Sequence, residues 1–144
     1  MSDPIAEGYE ALQDKYLRAL AEVENLRKRT ERDIAKARSQ ATADTLRVLL
    51  PIVDDLERAV AAQENNEAIR YIANKAQATL ATLDVVAFET VGKVFTAELM
   101  EAIELVPIKA PDIGKVASEI TRGYRIGDKL LRPAQVAVSC KDDG

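Results

Sequence analysis

A stretch free of glycine and proline, between Tyr9 and Leu50, is the feature that most constrains how this chain can fold. Along its first turns the apolar side chains recur at alternating steps of four and three residues. This repeat contains Ile5, Tyr9, Leu12, Tyr16, Ala19, Val23, Leu26 and Thr30. The spacing predicts a long helix with a narrow apolar seam, as in a coiled coil. Because so narrow a seam cannot be buried against a core of its own, we expect it to pair with a second copy of the chain.

The seam changes character after Thr30. The next heptad position is Asp33, whereas the apolar Ile34 lies one residue later. The seam then continues at Ala37, Ala41, Thr45 and Val48. More frequent four-residue steps move the repeat towards eleven residues, which favours nearly straight helices. We predict that Asp3 caps this helix, that Pro4 is its first residue and that it ends at about residue 42.

Two shorter helices are expected in the middle of the chain. Pro51 cannot donate a backbone hydrogen bond, so it predicts a break or kink close to Leu50. An amphipathic run follows, at Ile52, Val53, Leu56, Ala59 and Val60, and ends at the polar stop Gln63-Glu64-Asn65-Asn66. The next helix is expected to carry one apolar face at Ile69, Ile72, Ala73, Ala76, Leu80, Leu83 and Val86. A stripe this wide suits a bundle.

Pairing of two chains is therefore expected along both the long seam and the middle segment. Two medium helices per chain, doubled by dimerisation, make a four-helix bundle. The residues predicted to form the dimer are Tyr9, Leu12, Tyr16, Val23, Leu26, Ile34 and Leu56.

The last third of the chain has a different pattern, because glycines and prolines interrupt it every few residues from about Phe88. They separate short runs at residues 104–108, 116–120 and 135–139, which are typical of strands. Alternation of Val136, Val138 and Cys140 with polar or small residues predicts a half-buried strand. One short helix is predicted at residues 97–102. The expected fold is α+β, with a dimerisation helix (1–45), a bundle region (46–87) and a small β-domain (88–144).

Composition makes catalysis and metal binding poor hypotheses. The chain has no histidine and a single cysteine, Cys140. It therefore lacks the commonest general acid or base and cannot form an internal disulfide, which fits a cytoplasmic protein. Asp54, Asp55 and Glu57 could suggest a metal site, but exposed helix charge is the better interpretation because no partner ligands are visible. We expect no cofactor and no metal, and neither a signal peptide nor a membrane span.

A basic run on the long helix admits more than one interpretation. It comprises Arg27, Lys28, Arg29, Arg32 and Lys36. The simplest interpretation is a solvated helix face. A leucine-zipper DNA-binding protein also joins basic residues to heptads, but there the basic region precedes the zipper. Here the heptads come first and the net charge is −4, so we expect no nucleic-acid binding.

Three segments of the chain resemble the GrpE family. They are AEVENLRKRTERDI on the long helix, LLPIVDDLERAV after it, and FTAELMEAI followed by GYRIGDKLLRPAQVAV near the C-terminus. The most specific part is a C-terminal signature formed by Phe95, Met100, Ala102, Ile103, Gly123, Tyr124, Asp128, Leu131, Arg132, Ala134, Val136 and Val138. Within it, Gly123 is expected to mark a turn whose backbone conformation other residues resist.

The resemblance implies a homodimeric cochaperone without catalytic activity. Proteins of this family are nucleotide exchange factors of DnaK-type Hsp70 chaperones, and they bind the open form of the ATPase domain so that ADP leaves. The resemblance places DnaK-contacting residues at Arg27, Lys36, Phe95, Ala97, Ile120, Lys129 and Val138. A purely structural coiled-coil adaptor that tethers two partners is the alternative.

Overall fold

A single long helix, α1, dominates the first half of the computed structural model, which describes residues 1, 3–63 and 65–144. It spans Pro4–Ala62. The carboxylate of Asp3 accepts a hydrogen bond from the backbone N–H of Ile5 at 3.0 Å, which satisfies a donor of the first turn. The predicted cap at Asp3 and the predicted start at Pro4 are confirmed. The chain forms two compact units, Met1–Thr42 and Ala43–Gly144.

The predicted end of the first helix near residue 42 is wrong, and so is a separate helix after Pro51. α1 continues through Pro51 to Ala62. Proline removes one backbone hydrogen bond from a helix interior, but side-chain packing on both sides of it can compensate. Leu46, Leu50 and Val53 supply that packing, since all three are buried against the sheets.

The second helix, α2, spans Glu67–Thr82. The side-chain oxygen of Asn66 caps it by accepting a hydrogen bond from the N–H of Ile69 at 3.2 Å. The predicted polar stop therefore does separate two helices, although its Glu64 lies outside the described residues. Extension of the apolar helical face to residues 83 and 86 is wrong. Leu83 caps the helix and Asp84 adopts a left-handed conformation with φ of 59°, which turns the chain into a strand.

The rest of the described chain forms six strands in two sheets. They are β1 (Val85–Ala87), β2 (Met100–Ile108), β3 (Val116–Thr121), β4 (Tyr124–Ile126), β5 (Lys129–Arg132) and β6 (Ala134–Lys141). In the first sheet the order is β1-β4-β5 and all pairs are antiparallel. In the second sheet the order is β2-β6-β3, with β2 parallel and β3 antiparallel to β6.

The strands predicted at 104–108, 116–120 and 135–139 are confirmed as β2, β3 and β6, whereas the short helix predicted at 97–102 is wrong. Only one turn forms there, in which the N–H groups of Leu99 and Met100 both donate to the Thr96 carbonyl, before β2 begins at Met100. The half-buried alternation predicted for β6 is also wrong. As the central strand, β6 buries both Val136 and its neighbour Ala137.

Two apolar clusters hold these elements together. The first joins both helices to the sheet β1-β4-β5, and it contains Ala43, Leu46, Leu50, Val53, Leu80, Val85, Tyr124 and Leu131. The second lies on one face of the sheet β2-β6-β3, and it contains Met100, Val116, Ala134, Val136 and Val138 with Phe88, Phe95 and Leu99 packed against them. The first sheet is thus mounted directly on α1.

Candidate functional site

The seam of α1 is exposed along the first unit. Tyr9 and Leu26 are 67% and 62% exposed, and Leu12, Tyr16, Val23 and Ile34 are also exposed. Leu56, in the second unit, is half-buried. Large apolar side chains spaced at 3.5 residues along one helix are typical of a helix-pairing surface. Their role in a dimer stays a prediction.

A second exposed apolar surface lies on the helices of the second unit. Val48, Leu49 and Ile52 of α1 are exposed, as are Tyr71 and Ile72 of α2. These residues lie outside the apolar cluster that holds the helices against the sheet. Both helices of this unit therefore have apolar surface left to bury against another chain.

The two basic residues predicted to contact a partner lie on exposed positions of the first unit. The guanidinium of Arg27 donates to Glu31 at 2.7 Å and to Glu24 at 2.8 and 3.2 Å. The hydrogen bond to Glu24 raises the pKa of Arg27 above its ordinary value. Lys36 is exposed on the same helix. Such solvated pairs contribute little to stability, so they exchange readily for charges of a partner.

The five C-terminal residues predicted to contact a partner are placed differently from one another. Ala97, Ile120 and Lys129 are exposed, the last on β5 of the first sheet. Phe95 is half-buried against the second cluster, and Val138 is 8% exposed within it. Ile120 and Lys129 are therefore exposed on the sheets and Ala97 in the turn before β2, whereas Val138 is buried beneath the surface.

An ion pair joins the sheets to α1. Arg132 of β5 binds Asp54 of α1 through two parallel bonds, Nη1 to Oδ2 at 2.8 Å and Nη2 to Oδ1 at 2.9 Å. The same guanidinium donates to the carbonyl of Arg122 through Nε at 3.0 Å and Nη2 at 2.6 Å. Both side chains of the pair are 18% exposed. A two-pronged bond in a largely buried place fixes both distance and orientation.

Tyr124 of β4 connects the first sheet to α2. We call its contacts, together with those of the Arg132–Asp54 pair, the helix–sheet junction. Its hydroxyl accepts a hydrogen bond from Gln77 Nε2 of α2 at 2.9 Å, and Gln77 also donates to Glu57 of α1 at 2.6 Å. Arg132 lies over the Tyr124 ring, 5.3 Å from its centre. Burial raises the pKa of Tyr124 above its ordinary value, an effect opposed by the Gln77 bond. Tyr124 thereby contacts α2 and β5, and Gln77 links it to Glu57 of α1.

A third set of polar contacts extends this junction towards β3. Arg122 Nη1 lies 3.1 Å from Glu57 of α1, and its Nε lies 3.8 Å from Glu119 of β3. The other oxygen of Glu119 accepts a hydrogen bond from the buried hydroxyl of Thr90 at 2.5 Å. Arg122 thus contacts the carboxylates of both Glu57 and Glu119. No group of three or more acidic, cysteine or histidine side chains is arranged to hold a metal ion among the described residues.

The interpretation of Asp54 and Glu57 as exposed helix charge is wrong, because both carboxylates bind arginines that follow or belong to the sheet strands. Only Asp55 of the predicted acidic run fits it, with an exposed pair to Arg58 at 2.8 Å. A usable signal was present in the sequence. Asp54 and Glu57 lie on the same side of α1 as the buried Leu50 and Val53, at spacings of three and four residues.

Gly123 is required because a side chain at this position would clash with its neighbours. The expectation from sequence, that other residues would resist its backbone conformation, is wrong. Its φ is not positive, unlike that of Gly92, Gly114 and Gly127. A Cβ at this position would overlap the ring of Phe88 and would lie 2.8 Å from the backbone nitrogen of Ala134. The glycine thus permits close packing between the two sheets.

These features define an α+β protein with exposed apolar surfaces on its helices and a compact C-terminal pair of sheets mounted on its long helix. A family model described as GrpE matches residues 3–140. The chain belongs to the GrpE family. Within the described residues, no helix is long and apolar enough to cross a bilayer.

Curated relatives agree with this assignment. The chain is 39% identical over 132 residues to Protein GrpE of Thermus thermophilus, covering 88% of this chain and 73% of the relative. It is 40% identical over 138 residues to Protein GrpE of Parabacteroides distasonis, covering 90% and 71%. A Legionella pneumophila relative of the same name is 32% identical over 134 residues, covering 89% and 67%. Family membership supports the role of a DnaK/Hsp70 cochaperone, a class that is not enzymatic.

Proposed function

We propose that this protein is a homodimeric nucleotide exchange factor that stimulates ADP release from the ATPase domain of a DnaK-type Hsp70. The observation that carries the proposal is the match to the GrpE family over residues 3–140. The chain performs no bond chemistry in this scheme. It binds the open ATPase domain more tightly than the closed ADP-bound form, so binding shifts that equilibrium and ADP leaves.

Dimerisation is proposed to use both apolar surfaces of the helices. The exposed seam supports pairing of the long helices over residues 1–45. The exposed side chains on α1 and α2 support a four-helix bundle over residues 46–87. Residues 88–144 then form a β-domain on each protomer. Unpaired apolar surfaces of this kind are costly in water, which is why a second copy is the simplest partner.

The surface proposed to contact DnaK has two parts. Arg27 and Lys36 form the basic part, which suits acidic groups on a partner. Ile120, Ala97 and Lys129 form the exposed part on and beside the sheets, with Phe95 and Val138 beneath. The exposed Ile120 is the most suitable anchor, since a large apolar side chain at the surface can be buried on binding.

Release of a labelled ADP from DnaK tests the proposal. With the protein present in excess, we expect the release rate to rise at least about tenfold, within the usual range of coupling between two ligands. Ile120→Asp should weaken this stimulation, because it places a charge at the proposed anchor. Val86→Asp introduces the same charge at an exposed apolar position of β1, outside both the helix surfaces and the proposed contact, and provides the control. Equal release rates with and without the protein would contradict the proposal.

The adaptor hypothesis makes a different prediction for the same assay. A coiled-coil tether holds two partners together through its exposed seam and has no preference between nucleotide states. It would therefore bind DnaK without changing the release of ADP. Binding without stimulated release would favour the adaptor.

A further inference from the structure

The helix pair of the second unit and the sheet β1-β4-β5 are joined by an apolar cluster and by one two-pronged ion pair. The apolar cluster sets the distance between these elements, because burial is not directional. The Arg132–Asp54 pair adds direction. Its two nearly equal bonds, at 2.8 and 2.9 Å, require the guanidinium and carboxylate planes to face each other.

Other contacts keep both members of this pair from adjusting. Arg132 also donates a hydrogen bond to the carbonyl of Arg122 and lies over the Tyr124 ring. Asp54 belongs to the same helix as Glu57, which Gln77 ties to α2. Within the described part of the chain, every buried side-chain polar atom has a hydrogen-bond partner. The junction is therefore a satisfied network, which is rigid, and not a loose group of charges.

Stability alone does not explain an ion pair at this position. Well-packed apolar side chains of similar volume often stabilise a protein as much as a largely buried ion pair does, because the charges must lose their hydration. What an ion pair supplies, and apolar side chains do not, is a single preferred orientation. The junction is built for orientation, and three of the five exposed residues proposed to contact the chaperone lie on or beside the sheets that it orients, namely Ala97, Ile120 and Lys129.

We propose that Arg132 and Asp54 are positioning residues for nucleotide exchange, which hold the C-terminal sheets in one orientation on the helix pair. The proposal rests on the exchange function proposed above. An exchange factor must favour the open form of its partner over the closed form. If the sheets can rotate on the helices, they follow the partner into either form, and the preference for the open form is lost.

A positioning role can be distinguished from a merely structural role by two measured quantities, the maximal rate of ADP release and the protein concentration that gives half-maximal stimulation. A merely structural role would change both of them together. Loosening the pair leaves the contact side chains in place, so the concentration that gives half-maximal stimulation should change little. The maximal rate of ADP release at saturation should fall, because the differential affinity for the two forms is reduced. Local unfolding of the sheets would instead weaken binding and lower the melting temperature.

The test measures ADP release against concentration for the full chain and two pair variants. Asp54→Asn keeps the shape of the side chain and removes its charge, whereas Arg132→Lys keeps the charge and removes the two-pronged geometry. The matched control is Asp55→Asn, since Asp55 is the next residue on α1 and its pair with Arg58 lies at the surface.

We expect both pair variants to lower the maximal rate about tenfold, with the half-maximal concentration changed by less than about twofold. Asp55→Asn should behave like the unmodified chain. Unchanged maximal rates in both pair variants would overturn the positioning role. So would a lower maximal rate that is accompanied by a matching fall in the melting temperature and in the binding affinity. An unmodified chain that does not stimulate release would instead contradict the exchange function itself.

Discussion

At the scale of single residues, the C-terminal signature of the family is explained by packing and by the helix–sheet junction. Gly123 leaves room for the Phe88 ring, Tyr124 and Arg132 bind the helices, and Leu131 fills the first apolar cluster. None of these four is a large exposed side chain. Their spacing is therefore explained by how the sheets attach to α1.

Replacement of Gly123 by alanine should destabilise the second unit by about 1 to 3 kcal/mol, the usual cost of forcing extra volume into a packed core. The added Cβ would contact the Phe88 ring and the Ala134 backbone. Urea unfolding followed by circular dichroism measures the effect. Gly8→Ala is the control, because Gly8 lies in α1 with open space around it and alanine favours helix by about 1 kcal/mol. Equal stability of the Gly123 variant and the unmodified chain would contradict the packing described here.

The buried hydroxyl of Tyr124 predicts a pH dependence of stability. Burial raises the pKa of this group in the folded state, so folding favours its protonated form. Its contribution is therefore fully present below the unfolded pKa of about 10 and is lost as the pH rises through the higher folded value. Tyr124→Phe should make the decline in unfolding free energy above pH 10 less steep. Identical slopes for the two proteins in alkaline urea titrations would contradict this prediction.

At the scale of elements, α1 shows that tertiary packing can override a strong local signal. Pro51 predicts a helix boundary, yet the helix continues because Leu46, Leu50 and Val53 are buried on the sheet. The side chain of Arg47 adds a hydrogen bond from its Nε to the carbonyl of Leu131 at 2.6 Å. Contacts between α1 and the sheet thus determine the backbone conformation at Pro51.

Pro51→Ala should consequently stabilise the second unit. It restores a backbone donor within an existing helix, and alanine is the better helix former by about 3 kcal/mol in a helix interior. Loss of the rigidity that proline gives to the unfolded chain offsets part of this gain, so we expect about 1 to 2 kcal/mol. Pro4→Ala, at the first position of α1, should have little effect because no donor is required there. A destabilised Pro51 variant would show that the helix is broken in solution.

Most elements were predictable from sequence because their signals are local. The seam predicts α1, the polar stop at residues 63–66 and the apolar stripe predict α2, and glycine and proline mark the ends of β2, β3 and β6. The three- and four-residue strands β4 and β5 were not identified, because such short runs carry no recognisable period. Likewise, the partner of Asp54 could not be predicted, since Arg132 is far away in the sequence and only folding brings the two together.

At the scale of the whole molecule, the two compact units differ in what stabilises them. The described residues of Met1–Thr42 are exposed along the whole length of the first unit, whereas Ala43–Gly144 contains both apolar clusters. An isolated helix of this kind depends on pairing for its stability. We therefore expect the helix of the first unit to be stable only when its seam is paired with the seam of a second chain.

Thermal unfolding should accordingly take place in two steps. The seam contains Ala19, Thr30 and other small residues, which bury little apolar area per turn. We expect the paired helices of the first unit to melt before the second unit or separately from it. Calorimetry at several protein concentrations measures this, because the transition of a pairing helix shifts with concentration. A single cooperative transition would contradict the prediction.

The central claim is that this chain binds the open form of a chaperone ATPase domain in preference to the ADP-bound form. Equilibrium affinity of the DnaK ATPase domain for ADP, measured at increasing concentrations of this protein, tests that preference most directly. Because linkage is reciprocal, we predict that the dissociation constant of ADP rises with protein concentration and levels off at least about tenfold higher. An ADP dissociation constant that stays unchanged, while binding of the two proteins is demonstrated in the same samples, would contradict the claim.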